Sequence, residues 1–362
     1  MRTASNRAAH DSKRLPVCLR HLRIAATTAY FVRGSVCAFA RSQSVLDPAG
    51  PQSMHVFRLW SWFLAILTAI FVIVLALTAW ALTRRHRGIE QEPLERVHIP
   101  SRETERKLLW TVGSGIAATV LILFGLLIAS VTTGKAISEL GNKQNGMVVE
   151  VIGNQWWWYV RYVNDDASQI VVTANEIHIP VGRPVRIRGT SNDVIHSFWV
   201  PELNGKRDLI PSRITDEWIQ ADRPGRYRGQ CAEFCGMQHA HMSLWVIADP
   251  PDEFEKWKAR QLQPAVDPSD LHLQAGRDVF LKYACVYCHS ITGTTANGQV
   301  APDLTHFASR TTLAAGTLPN TKGNLAGWIV DPQTIKPGNH MATLNLKPEE
   351  LQPLVDYLES LQ

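Results

Sequence analysis

Two long apolar runs constrain this chain more than any other feature. Trp60 to Leu82 and Leu108 to Val131 contain no charged side chain. Each is about the 20 residues needed to cross a bilayer as a helix. Lipid offers no water to backbone N–H and C=O groups, so a spanning segment must satisfy them internally. Between the runs lie Arg84, Arg85, Arg87, Arg96, Arg102, Arg106 and Lys107. Such a basic loop stays in the cytoplasm. The expectation is a transmembrane hairpin of helices 60–82 and 108–131 joined by a cytoplasmic loop, 83–107. The segment 41–59 and everything after Val131 then face outward.

Residues 1–40 read as a cleaved leader. Arg20 and Arg23 precede an apolar-leaning stretch, and Ala38-Phe39-Ala40 is a small-x-small cleavage pattern, although Arg33 interrupts the apolar part. A start at Met54 is the rival reading. Seven of the 37 basic residues and one of the 32 acidic residues fall in this leader. The remainder is therefore almost balanced, which excludes a nucleic-acid-binding stripe.

From Met147 to about Ala248 the texture is β. Runs such as 148–152, 170–172, 176–179, 185–188 and 243–248 are short, β-branched and punctuated by Pro and Gly. That pattern predicts an antiparallel sandwich or barrel over 146–250. A short helix and linker, 251–269, follow. From 270 the texture turns helical. Leu351, Leu354, Val355 and Leu358 repeat at helical spacing near the end, with Pro348, Glu349 and Glu350 at the expected start.

Four of the six cysteines fall in two motifs; Cys18 and Cys37 lie in the leader. None is left for a disulfide framework. The first motif is CAEFCGMQHAHM, in which Cys231, Cys235, His239 and Met242 gather soft donors into one loop. Sulfur with imidazole favours copper, and two thiolates so spaced can bridge a two-copper electron-transfer centre. Such a centre needs a second imidazole from afar. His196 in NDVIHSFWVP, after a strand-like segment, is the best candidate. The second motif is CVYCH, the attachment signature of a c-type haem. Cys285 and Cys288 supply the thioether links and His289 an axial ligand. The sixth ligand is expected from KPGNHM, with Met341 favoured and His340 the rival. Pro302 in APDLTH resembles the proline of c-type cytochromes whose carbonyl accepts the proximal imidazole N–H.

Two spans followed by NQWWW, NDVIHSFWVP and CAEFCGMQHAHM resemble subunit II of a haem–copper cytochrome c oxidase, over about 45–250. The C-terminal haem motif extends the resemblance to the caa3-type subunits with a fused cytochrome. The resemblance implies a multidomain fold: a two-helix transmembrane hairpin, an all-β cupredoxin Greek-key sandwich and, over 270–362, an all-α class I cytochrome c domain. It implies a binuclear CuA centre bridged by Cys231 and Cys235, with His196 and His239 terminal and Met242 axial. Glu233 would give its backbone carbonyl to copper and its side chain to a Mg²⁺ shared with subunit I. His241 would not be a ligand. Trp156 would be the surface ring where an incoming electron enters. The family often carries an acidic residue just before the second span, near a proton path. Aligned on Trp110, that position is Lys107, with Glu103 and Glu105 close by.

The implied role is electron input to a terminal oxidase in the inner membrane, with both redox domains on the periplasmic face. Electrons would pass from an external donor, cytochrome c or a quinol:cytochrome c reductase complex, through haem c and CuA to subunit I. Oxygen reduction and proton translocation would belong to that partner, with subunit III expected beside it. The alternatives are a CuA module of a nitrogen-oxide reductase and a quinol oxidase subunit II, which lacks the copper ligands.

Overall fold

A computed structural model describes residues 43–85, 101–142 and 146–362. The leader 1–40, Cys18, Cys37 and part of the basic loop lie outside the described residues. Helix α1 spans Pro51–Arg85 and α2 spans Arg102–Asn142. Both are longer than the apolar runs. At about 1.5 Å per residue each is longer than the roughly 30 Å hydrocarbon core of a bilayer. Their mid-helix apolar side chains are largely uncovered by the rest of the chain.

Helix α1 begins nine residues earlier than its apolar run because the β domain holds its start. Pro51 takes the first helical position, where its missing N–H costs nothing. Ala49 N donates to Glu202 O (2.7 Å), and Asp222 N donates to Ala49 O (2.7 Å). Ser53 Oγ and Gln52 Nε2 reach the carbonyls of Glu202 and Trp218. A chain begun at Met54 would lack these contacts. In α2, Lys107 sits in the second turn and pairs with Glu103 at 2.8 Å.

The β region forms a sandwich of two five-stranded sheets. One runs β3 (Val171–Ala174), β2 (Trp157–Val163), β1 (Met147–Asn154), β5 (Val185–Ser191), β8 (Thr215–Ile219). The other runs β4 (Glu176–Pro180), β10 (Ser243–Asp249), β9 (Gly225–Cys231), β6 (His196–Trp199), β7 (Lys206–Leu209). The sheets are mixed rather than purely antiparallel as expected from the sequence: β1–β5 and β4–β10 pair in parallel, joining strands distant in sequence. Alternation along β1 and β2 sends Val149, Val151, Trp158 and Val160 inward. Helix α3 (Pro251–Gln261) is part of this unit rather than a free linker: Phe254 and Trp257 are buried, and Trp257 stacks on His178.

The C-terminal domain has its own core. Helix α4 (Leu271–Lys282) is capped by Asp270, whose carboxylate accepts from His272 N and Leu273 N. Helix α5 (Cys285–Cys288) carries the haem motif. A hairpin of β11 (Thr312–Leu313) and β12 (Leu318–Pro319) precedes α6 (Lys322–Val330) and α7 (Pro332–Ile335). Helix α8 (Pro348–Ser360) crosses α4 at Gly276, so closely that a Cβ there would lie 2.0 Å from Pro353 O.

Candidate metal centre and haem site

The copper candidates converge at one end of the sandwich. Cys231 ends β9, and the loop after it returns to β10 through a 3-10 turn, His239–His241. Gly236 adopts φ +113°, a conformation that only glycine takes readily, and turns the chain immediately after Cys235. His196 arrives from the neighbouring strand. It opens β6 instead of ending a strand, because Ser191 to Val194 form a tight turn. Ser191 Oγ donates to Val194 O (2.5 Å), and Val194 N donates to Asp193 Oδ1 (2.7 Å).

His196 Nδ1 lies 3.8 Å from Cys231 Sγ, and His239 Nδ1 lies 3.6 Å from Cys235 Sγ. Met242 Sδ is 3.8 Å from Cys235 Sγ, and Glu233 O is 3.2 Å from Cys231 Sγ. Two ligands sharing one metal, with bonds of about 2.0 and 2.3 Å, stand about 3.5 Å apart at a tetrahedral angle. Each thiol is thus paired with one imidazole at metal-sharing distance. Both sulfurs, His196 and Met242 are buried. The donor set fits copper on geometry and on softness. His241 is exposed and turns away, its Nδ1 2.7 Å from Gln238 Oε1.

Protons compete for this site. The hydrogen bond from Cys235, with others from His196 and the backbone of Ser197, pulls Cys231 well below the usual thiol range. The Cys235 thiol is pushed far up by sharing its proton with Cys231 and by burial. The pair therefore holds one proton until metal displaces it. Burial works against protonation of His196, but Cys231 and Asp193 outweigh it and raise this imidazole.

Two supporting residues lie outside the ligand motifs. Asp193 Oδ1 accepts from His196 Nε2 at 2.8 Å, which fixes the ring and leaves Nδ1 for metal. Gly153 leaves room for that ring, since a Cβ there would stand 2.5 Å from His196 Cδ2. Both left traces in the sequence: a carboxylate three residues before the candidate histidine, and a glycine inside a strand-like run.

In the haem motif, His289 Nδ1 donates to Pro302 O at 2.7 Å, which fixes the tautomer and leaves Nε2 free for iron. Loss of solvent pushes this imidazole below its usual value. Cys285 and Cys288 sit one helical turn apart, and the backbone of Gly298 presses against Cys288. These residues fit a covalently held haem. Met341 packs, partly buried, against the cytochrome core. Its N–H donates to Asn339 Oδ1. His340 turns the other way, its ring 6.5 Å from that of Trp156.

Trp156 corrects one expectation. It is not a surface ring: only 8% of it is exposed. Its Nε1 donates to Cys235 O at 2.9 Å, so the indole touches the backbone of a candidate copper ligand. The cytochrome domain covers its other side, through His340 and Gly338. The domains meet in further hydrogen bonds. Ser243 N and Oγ both donate to Ala315 O, Thr311 donates twice to buried Glu176, and Gln238 Nε2 donates to Pro337 O.

Two family profiles match the chain: "Cytochrome C oxidase subunit II, periplasmic domain" over residues 163–248, and "Cytochrome c" over 273–362. Cytochrome c oxidase subunit 2 of Alkalihalophilus pseudofirmus is 34% identical, across 90% of this chain and 93% of its own. The chain belongs to the cytochrome c oxidase subunit II family. The corresponding subunit of Bacillus sp. strain PS3 is 31% identical, across 77% of this chain and 80% of its own. Quinol oxidase subunit 2 of Bacillus cereus is 28% identical, across 61% and 74%. This family member is therefore an oxidoreductase subunit with a fused cytochrome c domain, pointing to copper and haem c as its cofactors. Its two apolar helices anchor a periplasmic domain.

Proposed function

We propose that this chain takes electrons from an external donor onto haem c and passes them through CuA to subunit I of a terminal oxidase. Haem c and the binuclear copper, when bound, supply the redox chemistry, each accepting and releasing one electron at a time. The chain's residues hold these groups in fixed surroundings. Cys231, Cys235, His196, His239, Met242 and the Glu233 carbonyl would hold copper. Cys285, Cys288, His289 and Met341 would hold haem, with Pro302 orienting His289.

The observation that carries this reading is Trp156. Its indole N–H bonds the Cys235 carbonyl, and its far edge meets the cytochrome domain. It offers a packed bridge between the two sites. On the opposite side of the copper loop, Phe234 is 76% exposed and its ring lies 5.8 Å from that of His239. We assign this exposed face of the copper loop to subunit I. The partly exposed Glu233 carboxylate is the candidate Mg²⁺ ligand at that contact. Subunit III, the inner-membrane location, the two-span topology and the leader belong to the same proposal.

The quinol-oxidase reading shares the architecture but has no use for two thiols paired with two imidazoles. The test is spectroscopic. One purified polypeptide should show both covalent haem c absorbance and a CuA-type EPR signal, and its complex should consume oxygen. Metal-loaded protein without bound haem would refute the haem half, and an absent CuA signal the copper half. A complex that reduces a nitrogen oxide but not oxygen would transfer the module to the rival class.

A further inference from the structure

The contact between the copper and cytochrome domains contains a fully buried lysine. Lys336, at the end of α7, is 2% exposed. Its Nζ donates to Trp156 O (2.8 Å), His241 O (2.8 Å) and Ala314 O (2.9 Å). Burial lowers this amine to about 7; when protonated it has one donor for each of the three carbonyls. Two of the acceptors belong to the copper domain. One is the backbone of the bridging tryptophan, and the other precedes the candidate axial ligand Met242. The third acceptor is in the cytochrome domain's own β11–β12 hairpin.

Lysine is almost never buried so completely without a specific partner. Here the partners are three carbonyl dipoles drawn from both domains and no carboxylate. Separating the domains would strip two of the three acceptors from the amine. Without the amine, the docked contact would hold the Trp156 carbonyl away from water and without this donor, a costly outcome. The arrangement therefore resists opening. Around it, the Ser243–Ala315, Gln238–Pro337 and Glu176–Thr311 bonds keep the same two surfaces in register.

We propose that Lys336 is the positioning residue for the haem-to-copper step, locking the cytochrome domain over Trp156 and closing that face to outside donors. This rests on the route proposed above and adds to it. The transfer becomes a step within one fixed structure, with no search by a tethered domain.

The test uses the full chain, loaded with haem and copper in detergent. Haem c is reduced by a light flash with a photo-excited ruthenium complex, and the CuA absorption is followed. In the parent, copper reduction should be independent of solvent viscosity. In Lys336→Met the docked fraction should fall. If it falls to about a tenth, the observed rate falls about tenfold, because only the competent state transfers. The rate should also acquire a dependence on viscosity, while the haem absorbance, the CuA EPR signal and both midpoint potentials stay as in the parent. A merely structural role would not produce that combination.

A Lys336→Met chain that transfers as fast as the parent, at every viscosity, overturns the lock alone. A parent chain in which copper reduction never follows haem reduction overturns the route and the lock together. Should Lys336→Met not accumulate, Lys336→Gln, which keeps two N–H donors, is read in the same way. Loss of either metal-centre spectrum in both variants assigns Lys336 to folding and overturns the proposal.

Discussion

Replacing Gly153 by alanine should damage the copper site while leaving every proposed ligand in place. The added Cβ would lie 2.5 Å from His196 Cδ2, 2.8 Å from Cγ and 3.1 Å from Cβ. Carbon atoms settle at about 3.5–4.0 Å, so the imidazole must retreat by about 1 Å. It cannot swing freely, because Nε2 is held by Asp193 at 2.8 Å. Metal–ligand distances tolerate about 0.2 Å, several times less than this displacement. Overpacking costs about 1–3 kcal/mol. The loss of glycine's freedom in the unfolded chain offsets about 0.4–1 kcal/mol of that. The metal-free domain should therefore lose only about 1–2 kcal/mol by that balance and still fold. The copper site should suffer more, by about 10–100-fold in affinity, as when an orienting partner is lost. Copper retention against graded chelators and the EPR hyperfine pattern report this directly. An alanine variant that holds copper as tightly as the parent, with an unchanged spectrum, would show that Gly153 does not control the ring.

Asp193→Asn should weaken copper binding by about 10–100-fold, measured by the same competition. It should also move the acid limit of copper uptake to lower pH, because Asp193 helps to raise His196. A raised histidine stabilises the metal-free fold below its unfolded value and loses that contribution as pH rises through the folded value. Acid should thus favour the metal-free form, and Asp193→Asn should flatten that trend. Glu217 is buried, and burial pushes it up to about 8. Stability should be greatest below its unfolded value and fall as pH rises through about 8, by about 1.4 kcal/mol per unit while the folded group stays protonated. Glu217→Gln should remove that slope in pH-dependent denaturation, and an unchanged slope would refute the assignment. Gly276→Ala would set a Cβ 2.0 Å from Pro353 O and 2.8 Å from Tyr357 Cβ, forcing α4 and α8 apart. A loss of about 3 kcal/mol or more is expected, seen as haem-band collapse at lower denaturant.

The cofactor classes, copper and haem c, were legible in the sequence because their motifs are local. CAEFCGMQHAHM and CVYCH carry their donors within a few residues, and soft-donor spacing restricts what can bind. The spans were legible through length, although the α1 start was not, because it is set by contacts with Glu202 and Trp218 far along the chain. The same separation hid the strand at His196, whose position follows from a side-chain-locked turn at Ser191 to Val194. It also hid the covering of Trp156. Nothing in NQWWW announces a cytochrome domain above it, and Lys336 lies 180 residues away in sequence. Asp193 and Gly153 fall between these extremes. Each stood near a motif, with a physical reason to be there that only the packing around His196 makes specific.

On the proposed route, sealing Trp156 beneath the cytochrome domain would change the kinetic order of electron delivery. With that face open, delivery is bimolecular and follows donor concentration and ionic strength, as steered encounters do. Fusion makes the second partner intramolecular, and a docked interface frees the step from both variables. On that proposed route, recognition of the outside donor would fall on the rim of the haem motif, where Tyr287 is 77% exposed between Cys285 and Cys288. A lineage that changes its donor need reshape only that rim. The copper loop, its imidazoles and its tryptophan bridge can stay as they are.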